Sequence, residues 1–324
     1  MKIQLLCTVA LGTLTIGASA DVSAKDLAYV SSEKDHAIAV IDAKTFAVTA
    51  TIATCKRPRH MQLMGGGAQL IVACGDSKQA DVIDLATRKS AGLVPLGDDP
   101  EIFDLSPDGK TLYVSNEEDA EVGIIDMATK KRTGAIKVGG EPEGVKVSPD
   151  GKWVFVTSEV ASVVHAIDAA SAKVVKNIPV GKRPRRFAFS ADASELWVSN
   201  ELGSSVSVIS VKDLAVTHTV KFELKGLRSK DITPVDLKLA KDGKTMFVGL
   251  GQANHVAFVD ESSKKVREVA LAGKRAWGLG LSPDGSQLWV ANGLSDDVTV
   301  IDTATAKPLK TIKAGRVPHS IVVD

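Results

Sequence analysis

The chain is poor in the residues that usually advertise chemistry. It has three cysteines, six histidines and two tyrosines in 324 residues, and aromatic residues make up 4% of it. There is no CxxCH to anchor haem covalently, no GxSxG nucleophile elbow, no HExxH zinc motif and no glycine-rich phosphate loop. Excess charge of one sign is missing as well. The formal net charge is +1, and setting Lys2 aside leaves 40 − 1 = 39 basic residues against 39 acidic ones. That balance gives no bulk attraction to nucleic acid. After residue 20 no apolar run approaches the length of a membrane-spanning helix. No helical hydrophobic period recurs either.

What is present begins with a distinct N-terminus. Residues 1–20 run from Lys2 through the apolar stretch IQLLCTVALGTLTIG to the small-residue end ASA. This is the pattern of a secretory signal peptide cleaved after Ala20, with an apolar run short for a membrane span. Cys7 lies at the start of that run rather than at its end, so it does not read as a lipoprotein site. Residues 21–324 are expected to form one exported domain.

The rest of the chain repeats itself. SPDGKTLYVSN begins at Ser106, SPDGKWVFVTS at Ser148 and SPDGSQLWVAN at Ser282, with degraded copies from Ser190 and Ala240. Prolines at 58, 100, 142, 184, 234 and 318 are spaced by 42, 42, 42, 50 and 84 residues, and Ala276 stands midway through the last interval. Asp42, Asp84, Asp126, Asp168, Ser210, Asp260 and Asp302 close "VID"-like segments at the same step, broken only by an insertion near 222–233. Each unit alternates apolar and polar residues in short runs, the mark of half-buried strands. Ser-Pro-Asp-Gly reads as a hairpin turn, and the "VID" aspartates as caps of their own turns. Four strands per 42-residue unit, seven times over, predict an all-β seven-bladed β-propeller. The chain starts on a second strand and ends on a first strand, SIVVD. The C-terminal strand is therefore expected to pair with the N-terminal strands and close the ring.

YVSN (113–116), WVSN (197–200), WVAN (289–292), FVTS (155–158) and YVSS (29–32), each followed by a "VID"-like strand, resemble the YVTN family of propeller repeats. Seven such units behind a signal peptide are similar to the propeller proteins associated with PQQ-dependent alcohol catabolism in bacteria. The resemblance implies a periplasmic, non-enzymatic accessory or binding component found alongside quinoprotein alcohol oxidation, and it offers no established catalytic residues. Cys74 and Leu250 depart from the repeat, which places Asn there.

Loops before each innermost strand share one face with those joining second to third strands, and propellers usually bind ligands there. At this face Asp98, Asp99, Glu101, Glu141 and Glu143 stand apart from the basic junctions. Arg57, Arg59, Arg183, Arg185, Arg186, Arg275 and Arg316 are the candidate anion-binding rim, since forked guanidinium donors suit carboxylates. PQQ, an organic acid, or the acidic face of a periplasmic quinoprotein dehydrogenase or cytochrome would fit it. The alternative is that these charges merely solvate loops. His36, His60 and His319 are expected on one face, as a candidate metal or axial haem-iron site. Cys55 and Cys74 lie at one end of one hairpin, and an oxidising compartment favours their pairing, although the expected offset is wide. Two rival functions stay open: a lactonase-like hydrolase using His, Arg and Glu of the upper face, and a protein-interaction platform without a small ligand.

Overall fold

The computed structural model describes residues 26–324, so the segment expected to be a signal peptide lies outside the described residues. Seven four-stranded antiparallel sheets stand as blades around a central channel, with no α-helix among the described residues. Blade 1 holds 27–53 together with 318–323. Blades 2 to 7 follow as 58–95, 100–137, 142–179, 184–221, 237–271 and 276–313. The seven-bladed reading holds, including its closure. Pro318–Val323 lies beside Leu27–Ser32, with Val30 opposite Ile321 and Tyr29 opposite Val322.

The repeated words have separate structural duties. In SPDG, Ser106 Oγ bonds Asp108 at 2.6 Å and receives the N–H of Thr111 at 2.9 Å, while Gly109 takes the left-handed φ of 69° that the turn requires. The "VID" aspartate caps its own turn, as where Asp126 accepts the Thr129 N–H at 2.7 Å.

The third letter of the YVSN word ties one blade to the next. In most blades the two inner strands shift register just after the leading proline, as between Pro100 and Phe103. This bulge frees a main-chain N–H of the innermost strand, which a hydroxyl then satisfies. Ser115 Oγ accepts from Ile102 at 3.2 Å and donates to Glu143 O of the next blade at 2.6 Å. Thr157, Ser199 and Ser31 repeat the arrangement at their own blade boundaries.

In blades 1, 3 and 4 the fourth letter holds the loop that precedes the same blade. Asn116 Nδ2 donates to Leu96 O and Asp98 O at 3.0 and 3.1 Å. In blade 2 the equivalent residue is Cys74, disulfide-bonded to Cys55 in the equivalent loop with the Cα atoms 5.8 Å apart. A covalent bond thus replaces an amide tether. The expected wide offset is narrowed by the bulge, which sets Pro58 rather than residue 59 opposite Cys74. In blade 6 Leu250 occupies the same place and is buried against Phe222 and Ile232, which flank the inserted segment. Between blades the core is apolar, with Tyr29, Phe155, Trp197, Phe247 and Trp289 fully buried.

Candidate functional site at the channel mouth

Six of the seven innermost strands deliver one side chain each to the upper mouth of the channel, directly after the leading proline or Ala276. These are Arg59, Glu101, Glu143, Arg185, Trp277 and His319. Glu33, Glu117, Arg183 and Arg275 join them from the adjoining loops and enclose a cavity of about 280 Å³. Arg57, Glu141, Arg183 and Arg275, each preceding a proline or Ala276, hold left-handed φ angles between 51° and 61°. Such angles are uncommon for residues with a Cβ, and here they fix how each side chain leaves the rim.

Arginines and glutamates interleave here instead of forming opposed sectors. Arg59 bonds Glu101 directly and lies 3.4 Å from Glu33. Arg185 bonds Glu159 and lies 3.3 Å from Glu143. Arg183 Nε is 2.7 Å from Glu159 and 3.2 Å from Glu201. Arg57 reaches Asp99 at 2.9 Å and Glu101 at 3.3 Å. Four arginines and four glutamates line the cavity itself, which balances its charge. The expectation of a basic anion rim is corrected accordingly. Arg316 lies elsewhere, on the exposed surface against Asp35 at 2.6 Å. Arg186 sits deeper in the channel, 3.3 Å from His319 and 3.9 Å from Asp236.

The histidine triad does not form. His36 is exposed and its Nδ1 accepts the Arg57 main-chain N–H at 3.1 Å. His60 packs edge-on against Phe103 with centroids 4.8 Å apart. Burial, helped by Arg186, pushes both His60 and His319 well below the usual imidazole range, so both are neutral. Among the described residues the group spaced to hold a metal ion is instead Asp99, Glu101 and Glu117, with ligand atoms within 4.8 Å of one another. Asp99 and Glu101 already bond arginines, so that group is committed to the ion-pair network.

Sequence reasoning passed over one set of residues here. Glu33, Glu117, Glu159 and Glu201 each follow directly on the YVSN-like word, at steps of 84, 42 and 42, while Gly75, Gly251 and Gly293 fill the same place in the other blades. Repeat-locked glutamates at a loop start were the available signal. Within a blade each of these positions neighbours the residue before the proline, and the identities decide the pairing. Blade 5 matches Arg183 with Glu201. Blade 3 sets Asp99 beside Glu117, acid against acid. Blade 7 sets Arg275 beside Gly293, which offers no side chain.

Two groups are left without a partner as a result. Among the described residues, Glu117 has no cation and Arg275 no carboxylate within 4.0 Å, although both line the cavity. Burial raises the Glu117 carboxyl above its usual range, and the charges of Glu143, Asp99 and Glu141 add to that. Burial lowers Arg275, with Glu201 acting in opposition and Arg185 and Arg183 in support. Its guanidinium lies over Trp277, 3.9 Å from the ring centroid.

A closed ring of seven four-stranded blades defines the class: a seven-bladed β-propeller, with a polar candidate site at the upper mouth of its channel. The chain belongs to the seven-bladed lactonase β-propeller family, whose model matches residues 145–324. A YNCE-like β-propeller model matches residues 88–195. Both models support the propeller part of the resemblance, and neither is specific to the YVTN or PQQ-associated group. The fold is similar to that of the periplasmic gluconolactonase of Pseudomonas aeruginosa, with 21% identity, a TM-score of 0.78, and 91% of this chain and 98% of that chain covered. It is likewise similar to the hydrazine synthase structure of Kuenenia stuttgartiensis, with 23% identity, a TM-score of 0.76, and 90% and 99% covered. At these identities the likeness carries the fold alone. No curated protein sequence matches the chain.

Proposed function

We propose that the protein hydrolyses small lactones at the upper mouth of its channel. The observation that carries this reading is the unmatched pair, Glu117 and Arg275, in one cavity whose other lining charges offset one another. A carboxyl group raised by burial is poised as a general base, and an unpaired guanidinium as an oxyanion partner. Ionised Glu117 takes a proton from water as the water oxygen attacks the lactone carbonyl carbon. The carbonyl oxygen becomes an oxyanion facing Arg275. Collapse breaks the ring C–O bond, and the departing alkoxide recovers the proton from Glu117. One lactone and one water give one hydroxy acid.

The surrounding site supports a polar, ring-sized substrate. A cavity of about 280 Å³ lined by arginine and glutamate offers donors and acceptors to a polyhydroxylated ring. Family membership supports lactone chemistry, and the signal-peptide pattern together with the Cys55–Cys74 bond supports a periplasmic location. A PQQ-binding role alongside a dehydrogenase or cytochrome has weaker support, because the arginines suited to its carboxylates already bond glutamates. Acid release from glucono-δ-lactone in a pH-stat, measured against spontaneous hydrolysis, tests the reading. Acceleration by the wild-type protein that is lost in Glu117→Gln supports it, and a wild-type rate equal to the spontaneous one refutes it.

A further inference from the structure

Below the mouth the channel widens into a second cavity of about 350 Å³, lined by the lower halves of the innermost strands. Arg186, Lys146, Lys238 and Lys241 line it against Asp104 and Asp236, four cations to two anions. Both carboxylates are occupied in joining blades. Asp104 accepts the N–H of Leu105 at 3.1 Å and of Val147 in the next blade at 3.0 Å, and it pairs with Lys146 at 2.9 Å. Asp236 accepts from Leu237 at 2.9 Å and from Leu279 in the next blade at 2.8 Å. Among the described residues, Lys238 and Lys241 have no carboxylate within ion-pair distance.

The cations converge. Arg186, Lys238 and Lys146, from three successive blades, all act on the ring of His60 and disfavour its charged form. Like charges gathered in a channel of low dielectric destabilise a fold unless a counter-charge offsets them. Gln62, two residues along the same strand from His60, has its side-chain Oε1 buried with no donor. A buried acceptor of that kind calls for a hydroxyl or N–H from something else.

We infer that the lower channel is an anion site for a small hydroxylated dicarboxylate, with its carboxylates at Lys238 and Lys241 and its hydroxyl at Gln62 Oε1. The site is separate from the upper mouth and does not depend on lactone hydrolysis. Its test is thermal melting of the purified protein with sodium malate against sodium chloride of equal ionic strength. Saturating malate should raise the Tm by about 2–5 °C, since a ligand bound only by the native state stabilises it. Lys238→Gln should remove that rise while melting no lower than wild type without ligand. Lys241→Gln, at the exposed rim, should remove part of it, and Arg275→Gln should leave it intact. The inference is overturned by the absence of a malate-specific rise, by a rise that survives in Lys238→Gln, or by one that disappears in Arg275→Gln. A larger rise with inorganic phosphate than with malate overturns the carboxylate assignment.

Discussion

The main-chain N–H of Ser320 donates to Ser31 Oγ at 3.0 Å, joining residues 289 positions apart. The same hydroxyl donates to Arg59 O of blade 2 at 2.8 Å. One side chain thus connects the C-terminal strand, the first described strand and Arg59 of the candidate site. Deleting Ser320–Asp324 removes this bond and the buried Ile321, whose class of core loss alone costs about 2–5 kcal/mol. The truncated protein should melt at least about 10 °C below the full chain in a circular-dichroism scan. Melting within about 2 °C of it would contradict ring closure as a source of stability.

The disulfide stands where other blades use asparagine, which gives it a specific test. Closing a loop of this size contributes about 3 kcal/mol. Removing both thiols in C55A/C74A should therefore lower the Tm, and a non-reducing tryptic digest of wild type should show one linked peptide pair. The variant C55G/C74N copies the Gly97 and Asn116 of blade 3 and should regain part of the loss, because the amide can again hold the loop. Equal Tm values for the two double variants would show that the asparagine tether does not transfer between blades.

Glu159 ties blade 4 to blade 5 through Arg185 and Arg183. Burial, pulled against by Arg185 and reinforced by Glu143, pushes its carboxyl up to about 7. The folded state therefore binds more protons than the unfolded state between its ordinary carboxylate range and about pH 7. Stability from this group is present at the acid end of that window and is lost as the pH rises through it. The Tm of Glu159→Gln relative to wild type should accordingly increase from about pH 5 to pH 8. A difference that stays flat across that range would mean that Glu159 is ionised throughout and that its guanidinium partners prevail.

The ring was legible in the sequence because its markers are tied to the period. Pro58, Pro100, Pro142 and Pro184 start innermost strands, and Gly109, Gly151 and Gly285 sit where a turn needs positive φ. The site was legible in place but not in character. Arg59 and Glu101 are 42 residues apart in sequence and bond each other only because adjacent blades bring equivalent positions together. A one-dimensional reading therefore sorted charges by blade, whereas the ring pairs them across blades. His36 and His60 were misjudged for a related reason. The bulge after Pro58 sends His60 into the channel, while His36 stays at an outer loop.

The central claim is that Glu117, the carboxylate left without a cation, is the general base for lactone opening. The most direct measurement is the pH dependence of kcat/KM for glucono-δ-lactone in wild type and Glu117→Gln, with Arg275→Gln alongside. Burial and neighbouring acids raise the Glu117 carboxyl, and only its ionised form accepts the proton of water. Wild-type activity should therefore rise with pH through an inflection above the ordinary carboxylate range. In Glu117→Gln the activity should fall at least about 100-fold and that inflection should vanish, while the Tm stays at or above that of wild type. In Arg275→Gln the rate should drop with the inflection retained. Wild-type activity and an acid limb that persist unchanged in Glu117→Gln would contradict the account.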